Sequence, residues 1–315
     1  FEDRRGYPCP ERLPRLNAGI ESDDIVLTQR RYIHMHDCHT HSLYSEDVDK
    51  QRGSSIDAMA ARALEIGLAS IAITDHLEID NVGSPLHEPL DSDGIRRDVM
   101  AAKEKYAGRL NVIYGVELAQ MMHKPDVTGK WLEKYRYEYV IGSTHTLRDR
   151  SLFSSPDFFD GKSDAQLKAS WELYLSEVRE MLTADGYDVL AHITYPTRYY
   201  YKHGKEYLID LEHKGRDQFE DILKAVINKG IALEINTSGL RQPIGVTLPN
   251  RDLAAFYYEL GGRELSFGSD AHYAADIGKG LREAYRMCFD IGFRYFVVIE
   301  NGIKKHYALE KELEK

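Results

Sequence analysis

Short β-branched and apolar runs alternate along the chain with longer segments whose apolar residues return every three or four positions. That rhythm predicts successive βα units rather than separate blocks of strand and helix. Strands are expected at 32–37, 69–74, 111–117, 139–143, 188–192, 231–236 and 264–269, with a last one at 295–299. Helices are expected at 55–66, 93–106, 163–183, 213–229, 250–260 and 277–291. Ser163 and Asn250 are placed to cap the free N–H groups that open a helix, and Gly67, Gly230 and Gly292 to close one. No linker or repeat interrupts the series, so residues 31–315 read as a single α/β domain, a closed or nearly closed parallel barrel. Residues 1–30, rich in Arg, Pro and acids but without a period, are expected to form an N-terminal arm on the barrel exterior. The stretch "ITYPTRYYYKHGKEYLID", 193–210, exceeds an ordinary connection and carries five tyrosines. An insertion loop touching substrate is therefore expected near 193–212.

Composition narrows the classes. The chain is 43% hydrophobic and 29% charged, as a globular protein is. No apolar run approaches the roughly 18 residues a membrane span needs, so no membrane partner and a cytoplasmic location are expected. A net charge of −10 argues against a nucleic-acid surface, which needs a basic stripe to neutralise phosphates. Cys9, Cys38 and Cys288 show no CxxC spacing, so neither a disulfide framework nor a thiolate metal site is indicated. The chain begins at Phe1 without a signal-peptide pattern, and Phe1 is expected to be a product of processing or cloning. Apolar helix faces are compatible with a homo-oligomer.

Barrels of this kind carry their chemistry at the C-terminal mouth of the strands. Metal-competent residues fall at that position strand after strand: His39 and His41, Asp75 and His76, Glu117, His145, His192, then Asp270 and His272. Any one of them alone reads as a hydrogen-bonded structural residue; the shared position is what points to a metal. Imidazoles mixed with carboxylates and no thiolate suit Zn²⁺, Mn²⁺ or Fe²⁺, and so many ligands imply two or three divalent transition-metal ions. Such a centre bridges its metals with a hydroxide and clamps the oxygens of an attacked phosphoryl group, so hydrolysis of a phosphate ester is the chemistry it suits.

The ordered series "DCHTHS", "TDH", "GVE", "STH", "AH" and "SDAH", spread over about 33–273, resembles the PHP family, named from polymerase and histidinol phosphatase. The phrases "ALEINTSGLRQP", "FGSDAHY" and "GFRYFVVIENGIKKHYAL" are similar to its histidinol-phosphate phosphatase branch. The resemblance implies a distorted (β/α)7 TIM-like barrel with a trinuclear metal centre. It places His39, His41, Glu117 and Asp270 on one metal, with Glu117 bridging to a second that His145 and His192 complete. The third metal takes His76, His272 and one acid from "LYSED", where Asp47 is favoured by spacing over Glu46. His34 and His36 match no family ligand and read as structural; Asp37 reads as an acid that orients a ligand imidazole, and Asp75 as another or as a helix-cap acid.

The implied activity is a metal-dependent phosphomonoesterase of histidine biosynthesis, releasing L-histidinol and phosphate from L-histidinol phosphate. Asp270 is expected to accept or relay the proton, and His272 to serve the leaving alkoxide. Arg198 and Arg241 follow strand-end motifs and are expected to bind the phosphate of this small phosphorylated metabolite. A PHP phosphoesterase acting on another such metabolite is the main alternative. A metal-dependent amidohydrolase also opens with HxH, but it usually bridges its metals with a carboxylated lysine, where this chain offers Glu117. A non-catalytic barrel would have lost ligands, and a proofreading nuclease fits the acidic charge poorly.

Overall fold

The computed structural model describes residues 35–309, apart from 86 and 88. The expected N-terminal arm, His34, Cys9 and the charged tail 310–315 lie outside the described residues. The strands are β1 (Met35–Thr40), β2 (Leu68–Ile73), β3 (His76–Glu78), β4 (Asn111–Ala119), β5 (Tyr139–Ser143), β6 (Val189–Leu190), β7 (Ala232–Asn236), β8 (Leu265–Gly268), β9 (Tyr295–Glu300) and β10 (Ile303–Ala308). The helices are α1 (Ile56–Glu65), α2 (Ser92–Lys105), α3 (Pro125–Tyr135), α4 (Asp164–Met181), α5 (Thr197–Lys202), α6 (Leu211–Lys229), α7 (Arg251–Glu259) and α8 (Leu281–Ile291).

Strands β1, β2, β4, β5, β6, β7 and β8 pair in that order, all parallel, while the short β3 continues along β4 beyond β2. The last strand returns to the first through the Thr40 and Ala271 bridge: Asp270 N–H donates to the His39 carbonyl and His41 N–H to that of Ala271, each at 2.8 Å. The result is a nearly closed, distorted (β/α)7 barrel. Closure depends on Gly268, because a Cβ there would lie 2.3 Å from the His39 Cβ and 2.7 Å from a Glu234 carboxylate oxygen.

Strands buried on both faces read as apolar runs, which is why LASIAI and ALEIN were visible as strands. Helix α1 turns Ile56, Met59, Ala60 and Ala63 inward at helical spacing under a Ser55 cap, and α4 opens with a Ser163/Gln166 capping box. Asn250 caps α7, and Gly230 closes α6 in the left-handed region. Several boundaries move. The first strand, described from Met35 onward, runs on to Thr40, so His39 lies inside it; the strand expected at 188–192 shrinks to Val189–Leu190, and the helix expected from 277 begins at Leu281. The segment 193–212 is folded rather than an open loop, containing α5 and a short 3₁₀ turn. The β9–β10 hairpin packs beside β8, and His36 rests on Phe296 and Tyr307 while its Nδ1 meets Ser70 Oγ at 2.7 Å.

A candidate metal centre at the barrel mouth

Glu117 is the hub. From the interior of β4 its Oε2 lies 3.2 Å from His39 Nε2, 3.5 Å from His41 Nε2 and 2.8 Å from His76 Nδ1. Its Oε1 lies 2.8 Å from His192 Nε2 and 3.1 Å from His145 Nε2. A single carboxylate is thus surrounded by imidazoles from the ends of β1, β2, β5 and β6. Asp270 joins from the loop after β8, its Oδ1 3.3 Å from His41 Nε2 and 3.6 Å from His272 Nδ1. Asp47 closes the outer edge, its Oδ2 2.8 Å from His272 Nε2 and 3.4 Å from His76 Nε2. Glu46 turns away to His87 Nδ1 at 2.8 Å, so of the two acids considered it is Asp47 that the fold brings to the imidazoles. Two of these residues hold left-handed backbone, His192 at φ 23° and Asp270 at φ 54°, strain that a fold retains where side-chain direction matters.

The imidazoles are aimed by partners that the strand-end pattern did not reveal. Glu234, in β7, accepts from His39 Nδ1 at 2.6 Å and from the His192 backbone N–H at 2.8 Å. Glu78 accepts from His145 Nδ1 at 2.7 Å. The Ser45 hydroxyl donates to Asp75 and accepts from His41 Nδ1 at 3.2 Å, so Asp75 acts on a ligand candidate through a serine. In each case the outer nitrogen donates to its partner, so that with a metal bound Nε2 would turn its lone pair toward the centre. The sole trace of Glu234 in the sequence is an acid inside an otherwise apolar strand. Asp37 does not orient an imidazole as expected: it accepts from the backbone N–H groups of Ser269 and Gly278, tying the first strand to the loop after β8.

Four ligand-type atoms, His39 Nε2, His41 Nε2, His76 Nδ1 and Glu117 Oε2, are buried and crowd together without an aligned hydrogen bond among them. Groups of three, such as His39, His41 and Glu117, or His76, Glu117 and His145, or His41, His76 and His272, bring ligand atoms within 4.8 Å of one another. The electrostatics agree. Burial works against every charge here, yet His39, His145 and His76 hold the Glu117 carboxyl well below its usual range. Against the same burial, Glu234 and Glu117 push His39 well above its ordinary value, and Glu117 and Glu78 push His145 up to about 10. His41 moves the other way, to about 3, because burial and the crowding of His76 and His272 both oppose its charge. The carboxylates therefore recruit protons where a divalent cation would supply the same compensation. Metal binding would displace those protons, and the donor set fits a metal centre.

Beside the cluster lies a cavity of about 330 Å³ walled by His76, His145, His192, Tyr195, Arg198 and Asp270, and a second of about 600 Å³, which shares Arg198, Asp270 and His272 with it, reaches Arg241 and Lys279. Arg198 stacks between Tyr195 and Tyr199, 4.3 and 5.0 Å from their ring centres, with its Nε buried and unpartnered. Arg241 is fixed by one nitrogen to the Ser269 carbonyl at 2.7 Å, leaving Nη1 buried and unpartnered. Of the tyrosine-rich segment, Tyr195 and Tyr199 reach the cavity, Tyr200 is buried on the Leu167 carbonyl, and Tyr201 and Tyr207 face solvent.

The sequence profile of the PHP domain family matches residues 37–238. The chain belongs to the PHP family. A relative from Clostridium acetobutylicum named probable histidinol-phosphatase is 30% identical to this PHP protein over 253 residues, covering 80% of this chain and 91% of its own. A second of the same name from Thermotoga maritima is 29% identical, covering 84% and 95%. The crystal structure of histidinol phosphate phosphatase from Lactococcus lactis, complexed with zinc, L-histidinol and phosphate, superposes with a TM-score of 0.71 at 19% identity over 86% of this chain and 98% of its own. The PHP barrel is thus shared nearly end to end with these proteins. Among the described residues no helix is long and apolar enough to cross a membrane.

Proposed function

We propose that this PHP protein is a metal-dependent phosphomonoesterase that hydrolyses L-histidinol phosphate to L-histidinol and phosphate. The observation that carries the reading is the Glu117-centred imidazole cluster facing a cavity whose far wall offers Arg198 and Arg241 with unpartnered guanidinium nitrogens. The substrate rests on the curated relatives, which this chain matches over nearly their whole length, and on the L-histidinol and phosphate held by the Lactococcus lactis enzyme.

In this reading His39, His41, Glu117 and Asp270 hold one ion, Glu117, His145 and His192 a second, and His76, His272 and Asp47 a third, with zinc, manganese or iron as candidates. Bound there, the ions supply Lewis acidity toward the phosphoryl oxygens and lower the pKa of the attacking water. Arg198 and Arg241 bind the phosphate oxygens through the nitrogens left free by Ser238, Ser269 and the tyrosine stack. Hydrolysis forms one P–O bond to water and breaks the ester P–O bond, and one proton must reach the leaving alkoxide. With Oδ1 turned to the metal cluster, Asp270 relays that proton through Oδ2, which Asn236 Nδ2 meets at 3.4 Å. His272 donates from Nδ1 to the Asp270 carbonyl at 3.1 Å, which leaves Nε2 for a metal and gives His272 a ligand role rather than an acid role. Tyr195, packed 5.1 and 5.4 Å from the rings of His145 and His192, shields them from water. The lysine that an amidohydrolase uses is replaced at the hub by Glu117. Free, buried Cys38 and Cys288 are in keeping with a cytoplasmic setting.

The test is phosphate release from L-histidinol phosphate by metal-replete, chelator-stripped and zinc-restored protein. The reading expects loss on stripping and return on restoration. Turnover indifferent to stripping would overturn it.

A further inference from the structure

A second buried cluster of acids and imidazole lies beside the metal centre. His123, on the turn after β4, places Nδ1 2.9 Å from Asp80 Oδ2 and Nε2 2.9 Å from Glu177 Oε2, and none of the three side chains is more than 8% exposed. A neutral imidazole has one N–H and can satisfy one carboxylate; two acids on opposite ring nitrogens require the imidazolium. The same opposition rules out a shared metal, because the two acids sit on opposite sides of the ring. Against burial, the hydrogen bonds to Asp80 and Glu177 push His123 up to about 9. The cations around it act on Asp80, which they help keep ionised: Lys124 Nζ binds the Asp80 and Val82 carbonyls, and Arg150 lies 3.8 Å from the Asp80 carboxylate. Arg148 donates its backbone N–H to Glu177 at 2.7 Å while its guanidinium pairs with Glu180.

Each arm of the cluster ends next to the metal centre. Asp80 lies two residues beyond Glu78, the acid that orients His145, and Arg148 lies three residues beyond His145 itself. We propose that His123 is a positioning residue for His145: it fastens the turn carrying Glu78 and the loop carrying His145 to α4, and so fixes the approach of His145 Nε2 to Glu117. His123 touches no reacting atom. The inference rests on the metal-centre reading and is independent of the substrate.

The test uses the full-length protein as wild type, His123→Gln and Asp80→Asn, each loaded with Co²⁺. Metal affinities are read by chelator competition, coordination by the visible cobalt spectrum, and folding by circular dichroism. The expected result is a loss of up to about 10-fold in the affinity of one ion, with a changed cobalt spectrum and the remaining affinities held, because His123 acts one step beyond Glu78, and direct partners of a ligand carry about 10–100-fold. Asp80→Asn, which cuts only the arm to Glu78, is expected to act in the same direction and decides the matter if His123→Gln does not fold. Lower thermal stability with unchanged affinities and spectra in a folded variant would reduce His123 to a structural residue and overturn the inference. Wild-type protein that takes up no metal would overturn the metal-centre reading and this inference together, whereas normal uptake by wild type and variants overturns the inference alone.

Discussion

Glu234→Gln is the substitution whose effect follows most directly from the geometry. The carboxylate accepts from His39 Nδ1 at 2.6 Å and from the His192 backbone N–H at 2.8 Å, in a position fully closed to water. A glutamine has the same shape but one acceptor atom, so its NH₂ must face either His39 Nδ1 or the pair formed by the His192 N–H and the Asn236 amide, which meets the carboxylate at 3.2 Å. Hydrogen bonds to a charged group contribute about 1.5–3 kcal/mol each, and leaving a buried donor unmet costs about 1–3 kcal/mol. Part of that loss falls on folding. The part that reaches the metal is the freedom of His39 to rotate or to change tautomer, and weakening such a partner costs about 10–100-fold in metal affinity, or about 1.4–2.8 kcal/mol. Competition against a chromophoric chelator reads this directly, with circular dichroism as the check on folding. A folded Glu234→Gln protein that binds every ion within about twofold of wild type would refute the claim that Glu234 aims His39.

Three further outcomes are expected. Asp47→Asn should lower the metal content by one ion while Glu46→Gln leaves it unchanged, read by metal analysis after gel filtration; equal effects would place the third site elsewhere. Gly268→Ala should destabilise the protein by about 1–3 kcal/mol through overpacking against His39 and impair metal uptake, read by thermal denaturation and metal analysis; wild-type behaviour would show that the barrel closes less tightly than described. His123, raised from 6.5 to about 9 against burial by its bonds to Asp80 and Glu177, contributes stability that is complete below pH 6.5 and fades as pH rises through 9. The stability gap between wild type and His123→Gln, about 2 kcal/mol at neutral pH once screening is allowed for, should therefore close by pH 10; a gap independent of pH would mean the imidazolium is not what matters.

The strand-end residues were legible because a parallel barrel converts position in sequence into position at the mouth. An ordered run of His, Asp and Glu after successive apolar strands can converge on little else. What stayed hidden depends on packing between distant segments. Glu234 and Glu78 orient His39 and His145 from strands other than those of their targets, and nothing local marks such pairs. Asp37 departs from its expected role because its partners, the backbone N–H groups of Ser269 and Gly278, come from the far end of the chain, where no local pattern marks them. Helix α3 is hard to read because its apolar stripe, Val127, Trp131, Leu132 and Tyr135, is short and carries Gly129 within it. The tyrosine-rich segment looked like a loop because its buried residues, Tyr195 and Tyr200, serve the site and the core separately.

The measurement closest to the central claim is kcat/KM for L-histidinol phosphate beside a panel of nucleotide and sugar monophosphates, on zinc-loaded wild type and Asp270→Asn. The account predicts a preference for L-histidinol phosphate of at least about 100-fold, the scale a site with matched polar partners can reach, and its collapse in Asp270→Asn. Equal or better turnover of the other esters would contradict the substrate, and full activity in Asp270→Asn would contradict the mechanism.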